Sequence, residues 1–203
     1  MMFAVTLFVM FIFALVHSWM AGGLKTIIRR RFGERAFHGL YRITYNLVSL
    51  VTVIPIGLLL VFARGEVVWT LSGQVLPLTV FVQAIGVVGF VVSLMQVDQG
   101  QFMGLAQMRA YFAGQPLPLP PEPLQQRGMY RFVRHPLYLF SMMVQWPLPI
   151  MTETWLAFNI GATLYFVIGS RLEERRLQGI FGDEYREYQR RVPWLLPLPR
   201  RRS

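Results

Sequence analysis

The stretch RHPLYLFSMMVQWPLPIMTETWLAFNIGATLYFVIGSRLEERR, residues 134–176, decides how the chain is read. It holds two apolar runs, 137–151 and 155–170, separated only by Thr152, Glu153 and Thr154. At a helical rise of about 1.5 Å per residue, each run covers at most about 24 Å, short of a hydrocarbon core of ~30 Å. A tight helical hairpin, lengthened by its flanks, follows from that spacing. Arg134 and His135 stand at the mouth where the first run begins, and Glu173 and Glu174 stand where the second run leaves.

Working outward, the rest of the chain is also apolar. Of 203 residues, 54% are hydrophobic and 15% are charged, and the mean hydropathy is +0.44. Residues 2–21, 43–63 and 75–97 are each long enough to cross a bilayer. The expected fold is therefore an all-α integral membrane protein. It has about five transmembrane helices, the last two forming the short hairpin, and a helical C-terminal tail. One domain is expected over 1–203, with a catalytic core at about 98–197. The first run has no Lys or Arg before it, is long for a signal-peptide core and is followed by no A-x-A site, so a retained helix is expected.

The net charge of +10 would suit nucleic acid only if the basic residues formed a soluble patch. They do not. Lys25, Arg29, Arg30, Arg31, Arg35 and Arg42 lie in the first polar stretch, and Arg109, Arg127, Arg131 and Arg134 lie after the third span. Nine more lie between Arg171 and Arg202, and only Arg64 falls in the opposite loops. This is the positive-inside pattern. It places the N-terminus outside and the long loop and tail in the cytoplasm, in the inner membrane. The partners it implies are the lipid bilayer and its headgroups rather than nucleic acid. Cysteine is absent, and the three histidines, His17, His38 and His135, are widely spaced, so no metal site is expected.

Several local expectations follow. Gly22 and Gly23 should end the first helix. Residues 24–42 carry Leu24, Ile27, Ile28 and Phe32 between basic residues, the pattern of an interfacial amphipathic helix. Pro55 and Gly57 should kink the second span. Gly86 and Gly89 suit close helix packing in the third. The run PLPLPPEPLQQ should be extended, in polyproline II form. Gly182 should break the helix that leaves the hairpin, with a further helical turn in DEYREYQRR. His17, inside the first span, is either a functional residue or one side of an interhelical hydrogen bond.

Alone, the Arg134–His135–Pro136 tripeptide reads as a helix start with a basic anchor, since proline fits the first helical position. Alone, Glu173 and Glu174 read as a surface ion-pair network. Together they put a cation-and-histidine group opposite an acidic pair at one end of one hairpin. Tyr130 and Tyr138 add hydroxyls and aromatic faces. That combination suits a zwitterionic ligand.

The run GMYRFVRHPLYLF, followed after the hairpin by SRLEERRLQGIFGDEYREYQRRVP, resembles the isoprenylcysteine carboxyl methyltransferase superfamily. Its pattern G-x-Y-x-x-x-R-H-P-x-Y, then E-E-x-x-L-x-x-x-F-G-x-x-Y-x-x-Y and a basic-Val-Pro end, stands here in order over about 124–197. HSWMAGGLK, YRITYNLVSL and FMGLAQ are similar to the bacterial NnrU-like and methanethiol methyltransferase branch. The resemblance implies a membrane methyltransferase that uses S-adenosyl-L-methionine from a cytoplasmic site, with an acceptor that can approach from the bilayer. Carried over residue by residue, it implies cofactor contacts at Leu124, Gln125, Tyr130, His135, Pro136, Leu137, Tyr138 and Glu173. Arg134, Glu174 and Arg171 are the residues it offers for catalysis, with Glu174 or His135 as the base for an acceptor that arrives protonated.

Two positions depart from the pattern. Phe140 stands where relatives often have glycine, which would narrow access for the acceptor. Gly169 stands where eukaryotic members carry an acceptor-binding arginine, with Arg171 nearby. A thiol or carboxylate acceptor, small or lipid-linked, is expected. The alternatives are a phospholipid or amine methyltransferase and a non-catalytic membrane protein of the NnrU type.

Overall fold

The computed structural model describes residues 1–197, so the basic run Arg200, Arg201 and Arg202 lies outside the described residues. The chain divides into two compact units, residues 1–65 with 98–122, and residues 66–97 with 123 onward.

In the first unit, helix α1 (Met2–Trp19) passes through a π-helical turn (Met20–Leu24) into helix α2 (Lys25–Phe62). Gly22 and Gly23 therefore widen the helix instead of ending it. The chain reverses at Gly33, whose φ of 79° and ψ of 166° are open to glycine and strained for any other residue. Contacts on either side are centred on this turn. The Tyr41 hydroxyl donates to the Met20 carbonyl, and the His17 ring nitrogens meet Ser49 Oγ and, at 2.7 Å, Tyr45 Oη. The result is a helical hairpin with no loop. It replaces two expectations. Residues 24–42 form no separate interfacial helix, and the break in α2 is at Gly33, because Pro55 keeps helical backbone angles. His17 makes the interhelical hydrogen bonds that a polar ring needs among apolar helices.

Helices α3 to α5 complete the count of this region. α3 (Val75–Met95) belongs to the second unit, whereas α4 (Gln99–Met103) and α5 (Leu105–Phe112) belong to the first. Asp98 caps α4, its carboxylate accepting the Gln101 N–H at 3.0 Å. α2 holds these short helices by their carbonyls. Arg35 donates to Tyr111 and Gln115, and Asn46 donates to Phe102 and Met103. The proline run that follows has no regular secondary structure.

The second unit corrects the all-α expectation. A short strand β1 (Val67–Thr70) pairs antiparallel with β2 (Ile150–Thr152), with Val67 opposite Thr152 and Thr70 opposite Ile150. Four residues were too few to show an alternating pattern, and the pairing partner is some eighty residues away. Helix α6 (Pro136–Gln145) has only 10 residues and covers about 15 Å. Residues 137–151 are thus not one helix. The freed carbonyls at its end are met by side chains, Gln83 to Val144 at 3.0 Å and Asn159 to Gln145 at 2.8 Å. α6 lies along α3 at very close range: a methyl on Gly86 would meet Val144 at 2.8 Å, and one on Gly89 would collide with the Phe140 ring. Helix α7 (Glu153–Phe181), capped by Thr152, carries the second apolar run and the Glu173–Glu174 pair on one helix of 29 residues. Gly182 ends it, and α8 (Asp183–Arg191) follows.

Among the described residues, two helical stretches are long and apolar enough to cross a membrane, Met2–Phe62, which Gly33 breaks, and Val75–Met95. Their surfaces are greasy: Phe8, Phe11, Leu50, Val51, Leu78 and Phe81 are all exposed. So large an exposed apolar surface is out of place in water and at home in lipid.

Candidate functional site

The site is assembled within the second unit from four pieces of chain. The first is the approach to α6. Gly128 has a φ of 58°, and a side chain there would strike the Gln96 amide. Gln96 Oε1 accepts the Met129 N–H at 2.9 Å, and its carbonyl accepts from Gln125 Nε2 at 2.7 Å. This anchors a 3-10 turn (Gly128–Arg131) that leads into α6. Pro136 takes the first helical position and His135 the cap, as the sequence implies.

The second piece, α7, brings the acidic pair to His135. The ring's Nε2 lies 3.3 Å from Glu174 Oε1, and its Nδ1 lies 3.6 Å from Glu173 Oε2. Two ring nitrogens facing two carboxylates are satisfied only by the doubly protonated imidazolium. Burial opposes that charge, but the hydrogen bonds and charges of Glu173 and Glu174 outweigh it and raise the His135 pKa above 6.5.

The two carboxylates are unequal. The Glu174 side chain is 12% exposed and fully engaged: Oε1 takes Arg134 Nε at 2.6 Å as well as His135, and Oε2 takes Gln189 Nε2 at 3.1 Å. Burial pushes its pKa up, but His135 and Arg134 outweigh that and hold it down to about 2. A carboxylate held this low is a weak base, and both of its oxygens are taken up in holding Arg134, His135 and Gln189. The Glu173 side chain is 38% exposed. Burial again pushes upward, and His135 and Arg176 win, so its pKa also sits below the ordinary value. Glu173 is an ionised carboxylate with an open side.

The third piece is aromatic. Tyr138 stacks on His135 at 5.6 Å between ring centres and on Phe166 at 4.9 Å, with interplanar angles of 10° and 12°. The Tyr138 hydroxyl donates to Glu173 Oε2 at 3.4 Å. Gly169 leaves room opposite that hydroxyl. Phe166 escaped the sequence reading. Its signal was there, since it precedes Glu173 by two helical turns on the same face of α7.

The fourth piece is the C-terminal segment. Tyr185, Tyr188 and Val192 are buried together against Leu124, Leu177 and Phe181. The Tyr188 hydroxyl donates to the Tyr130 carbonyl at 2.6 Å. Arg134 Nη1 donates to the Val192 carbonyl at 2.6 Å and to Gln189 at 3.2 Å, and the Trp194 carbonyl accepts the backbone N–H groups of Arg134 and His135.

The structure therefore brings together His135, Tyr138, Glu173, Glu174 and Arg134. Tyr130 and Pro136 sit in the framework beside them. Leu124 packs on the tyrosine cluster, Gln125 is spent on Gln96, and the Leu137 carbonyl accepts from Ser141 within α6. Arg171, expected in catalysis, lies with its guanidinium 4.2 Å from the Trp194 ring centre. Arg134 is buried with three hydrogen bonds to the protein, which leaves it poorly placed to meet an acceptor. Phe140 does not narrow the site, because its ring lies on Gly89 of α3. Gln189 and Trp194 were missed because their part depends on a tertiary contact that no local pattern shows.

Comparison with known proteins adds to this geometry. The profile of the NnrU protein family matches residues 5–149. The methanethiol S-methyltransferase of Crocosphaera subtropica is 33% identical over 199 residues, which covers 95% of this chain and 73% of that protein. Methanethiol S-methyltransferase 1 of Bradyrhizobium diazoefficiens is 33% identical over 205 residues, covering 97% and 67%. The methanethiol S-methyltransferase of Mycobacterium tuberculosis is 32% identical over 206 residues, covering 98% and 80%. No solved structure matches the chain.

Proposed function

The chain belongs to the NnrU family, and from that premise we propose that it is a membrane methyltransferase that takes its methyl group from S-adenosyl-L-methionine and gives it to a small thiol. Methanethiol, named for its relatives, is the first acceptor to test. The observation that carries the reading is the half-open carboxylate of Glu173 beside a buried imidazolium and a three-ring stack.

That donor set fits the cofactor. Glu173 offers the open side of an anion to an ammonium group, and His135, both of its ring protons held by Glu173 and Glu174, fixes where that anion stands. The Phe166 ring, at the end of the stack, offers a π face, which attracts a sulfonium and covers a base. When bound, S-adenosyl-L-methionine supplies an electrophilic methyl on a sulfonium that is itself a good leaving group. The chain's own work is to hold, align and keep water away. Glu174 fixes His135 in place, and His135 keeps both ring protons between the carboxylates. With neither group free to act as base, the acceptor reacts as the thiolate, its proton having gone to solvent. Attack by an anion on a cation cancels charge, so a poorly hydrated site favours it.

The same reading includes five membrane helices, of which α6 is a short arm that does not cross alone, an outside N-terminus and a cytoplasmic site and tail, supported by the distribution of basic residues. A reporter fused to the tail should be active only in the cytoplasm, and an external tail would overturn the topology. For the activity, purified protein in detergent is given labelled S-adenosyl-L-methionine and a panel of thiols, prenylcysteines and lipids. Label should pass to methanethiol. Absence of binding to both S-adenosyl-L-methionine and its demethylated product would refute the reading.

A further inference from the structure

We propose that the segment from α8 to Trp194 is a strap that completes the site, and that Arg134 and Gln189 are the positioning residues that fasten it. The cofactor part of this proposal rests on the methyl-donor reading above.

Arg134 joins two things that are far apart in sequence. Its Nε holds the Glu174 carboxylate at 2.6 Å, and its Nη1 holds the carbonyls of Gln189 and Val192, at the end of α8. Those carbonyls form the negative end of the helix, where a buried guanidinium is well placed. Gln189 closes the loop from the other side. Its Nε2 donates to Glu174 Oε2 at 3.1 Å, and its Oε1 accepts from Gln178 Nε2 at 2.8 Å, which fixes the amide's orientation. Backbone groups add a further tie, since Trp194 accepts from both Arg134 and His135. Glu174 therefore has three protein partners, Gln189 on the strap and Arg134 and His135 bound to it. Its neighbour Glu173 has none on the strap among its hydrogen bonds and ion pairs described here.

The consequence is a division of labour. The strap sets where Glu174 stands, Glu174 sets where His135 stands, and His135 holds Glu173, the open carboxylate that meets the ligand. A catalytic arginine would face the acceptor. This one faces carbonyls and a carboxylate of its own chain.

The absence of cysteine makes the test clean. Spin labels at Arg131→Cys and Glu187→Cys, both exposed positions, report the distance from the site's approach to the strap in the full-length protein. The parent pair should give one narrow distance distribution. In Arg134→Gln and in Gln189→Leu it should broaden. Without the labels, each variant should bind S-adenosylhomocysteine about tenfold more weakly, the scale of one hydrogen bond to a charged group. Turnover at saturating cofactor should stay within about threefold. A narrow distribution in both variants overturns the strap. Unchanged affinity with collapsed turnover in Arg134→Gln makes Arg134 catalytic instead. A lower melting temperature with unchanged affinity of the folded fraction reduces both residues to structural support and also overturns the proposal. The distance measurement needs no cofactor, so it stands or falls separately from the methyl-donor reading.

Discussion

Glu173 and Glu174 contact opposite nitrogens of one imidazole, His135, yet only Glu174 is closed in, its side chain 12% exposed against 38% for Glu173. Adjacent in sequence, they do different things. Glu174→Ala leaves Arg134 buried and without its carboxylate, so thermal or denaturant unfolding in detergent should show a loss of about 3–5 kcal/mol. Glu173→Gln keeps the fold and removes the open anion. Calorimetry should then show cofactor affinity reduced about tenfold or more, with a smaller fall in melting temperature than Glu174→Ala gives, since His135 keeps Glu174 as a partner. Equal effects of the two substitutions on stability and binding would contradict the assignment.

The pair also predicts a pH window. The Glu174 pKa is held down to about 2, so its contribution is full above its ordinary 4.5 and is lost as pH falls towards the folded value. The His135 pKa is raised, so its contribution is full below 6.5 and is lost as pH rises through the folded value. Melting temperature against pH should therefore peak between those two ordinary values. His135→Asn should flatten the alkaline side and make the acid side shallower, since Arg134 alone then holds the Glu174 pKa down. A wild-type profile that rises steadily past neutrality would refute it.

The His135–Tyr138–Phe166 stack separates two ligands that differ by a charge. Phe166→Ala removes one ring face and should weaken binding of the sulfonium S-adenosyl-L-methionine by about 0.5–2 kcal/mol more than binding of uncharged-sulfur S-adenosylhomocysteine. Competition binding with both ligands measures the difference. Equal losses would mean that the rings only fill space.

Gly89 tests the packing that sets α6 against α3. A side chain there meets the Phe140 ring. Gly89→Val should cost about 1–3 kcal/mol of stability, seen as a lower melting temperature. Gly89→Val with Phe140→Gly should recover part of it, as expected for residues in contact.

Much of this site was legible in the sequence because its motifs are local. His135, Pro136 and Tyr138 stand within four residues, and Glu173 and Glu174 follow one helical run later. The helix start at Pro136 and the stop at Gly182 follow from backbone chemistry alone. What was hidden depends on long-range contact. The β1–β2 pairing joins two segments too short to declare themselves, and α6 stops at Gln145 because Gln83 and Asn159 supply donors that no local pattern reveals. The partners of Arg134 and Arg171, carbonyls and a carboxylate for one and the Trp194 ring for the other, were hidden for the same reason. A basic residue beside a motif looks alike in sequence whether it faces a ligand or the protein's own carbonyls.

The contacts that fasten the strap also set an order of assembly. In the first helical hairpin the polar contacts across Gly33 join residues 21 to 32 apart. The Gln189 contacts to Glu174 and Gln178 are local, across 15 and 11 residues, but those of Arg134 join residues 40 and 58 apart, and Gln126 meets Arg191 across 65. Closing longer loops costs more chain entropy, so distant pairings form later. The first hairpin can zip from its turn as soon as both arms exist, whereas the ligand site must wait for its last-made piece.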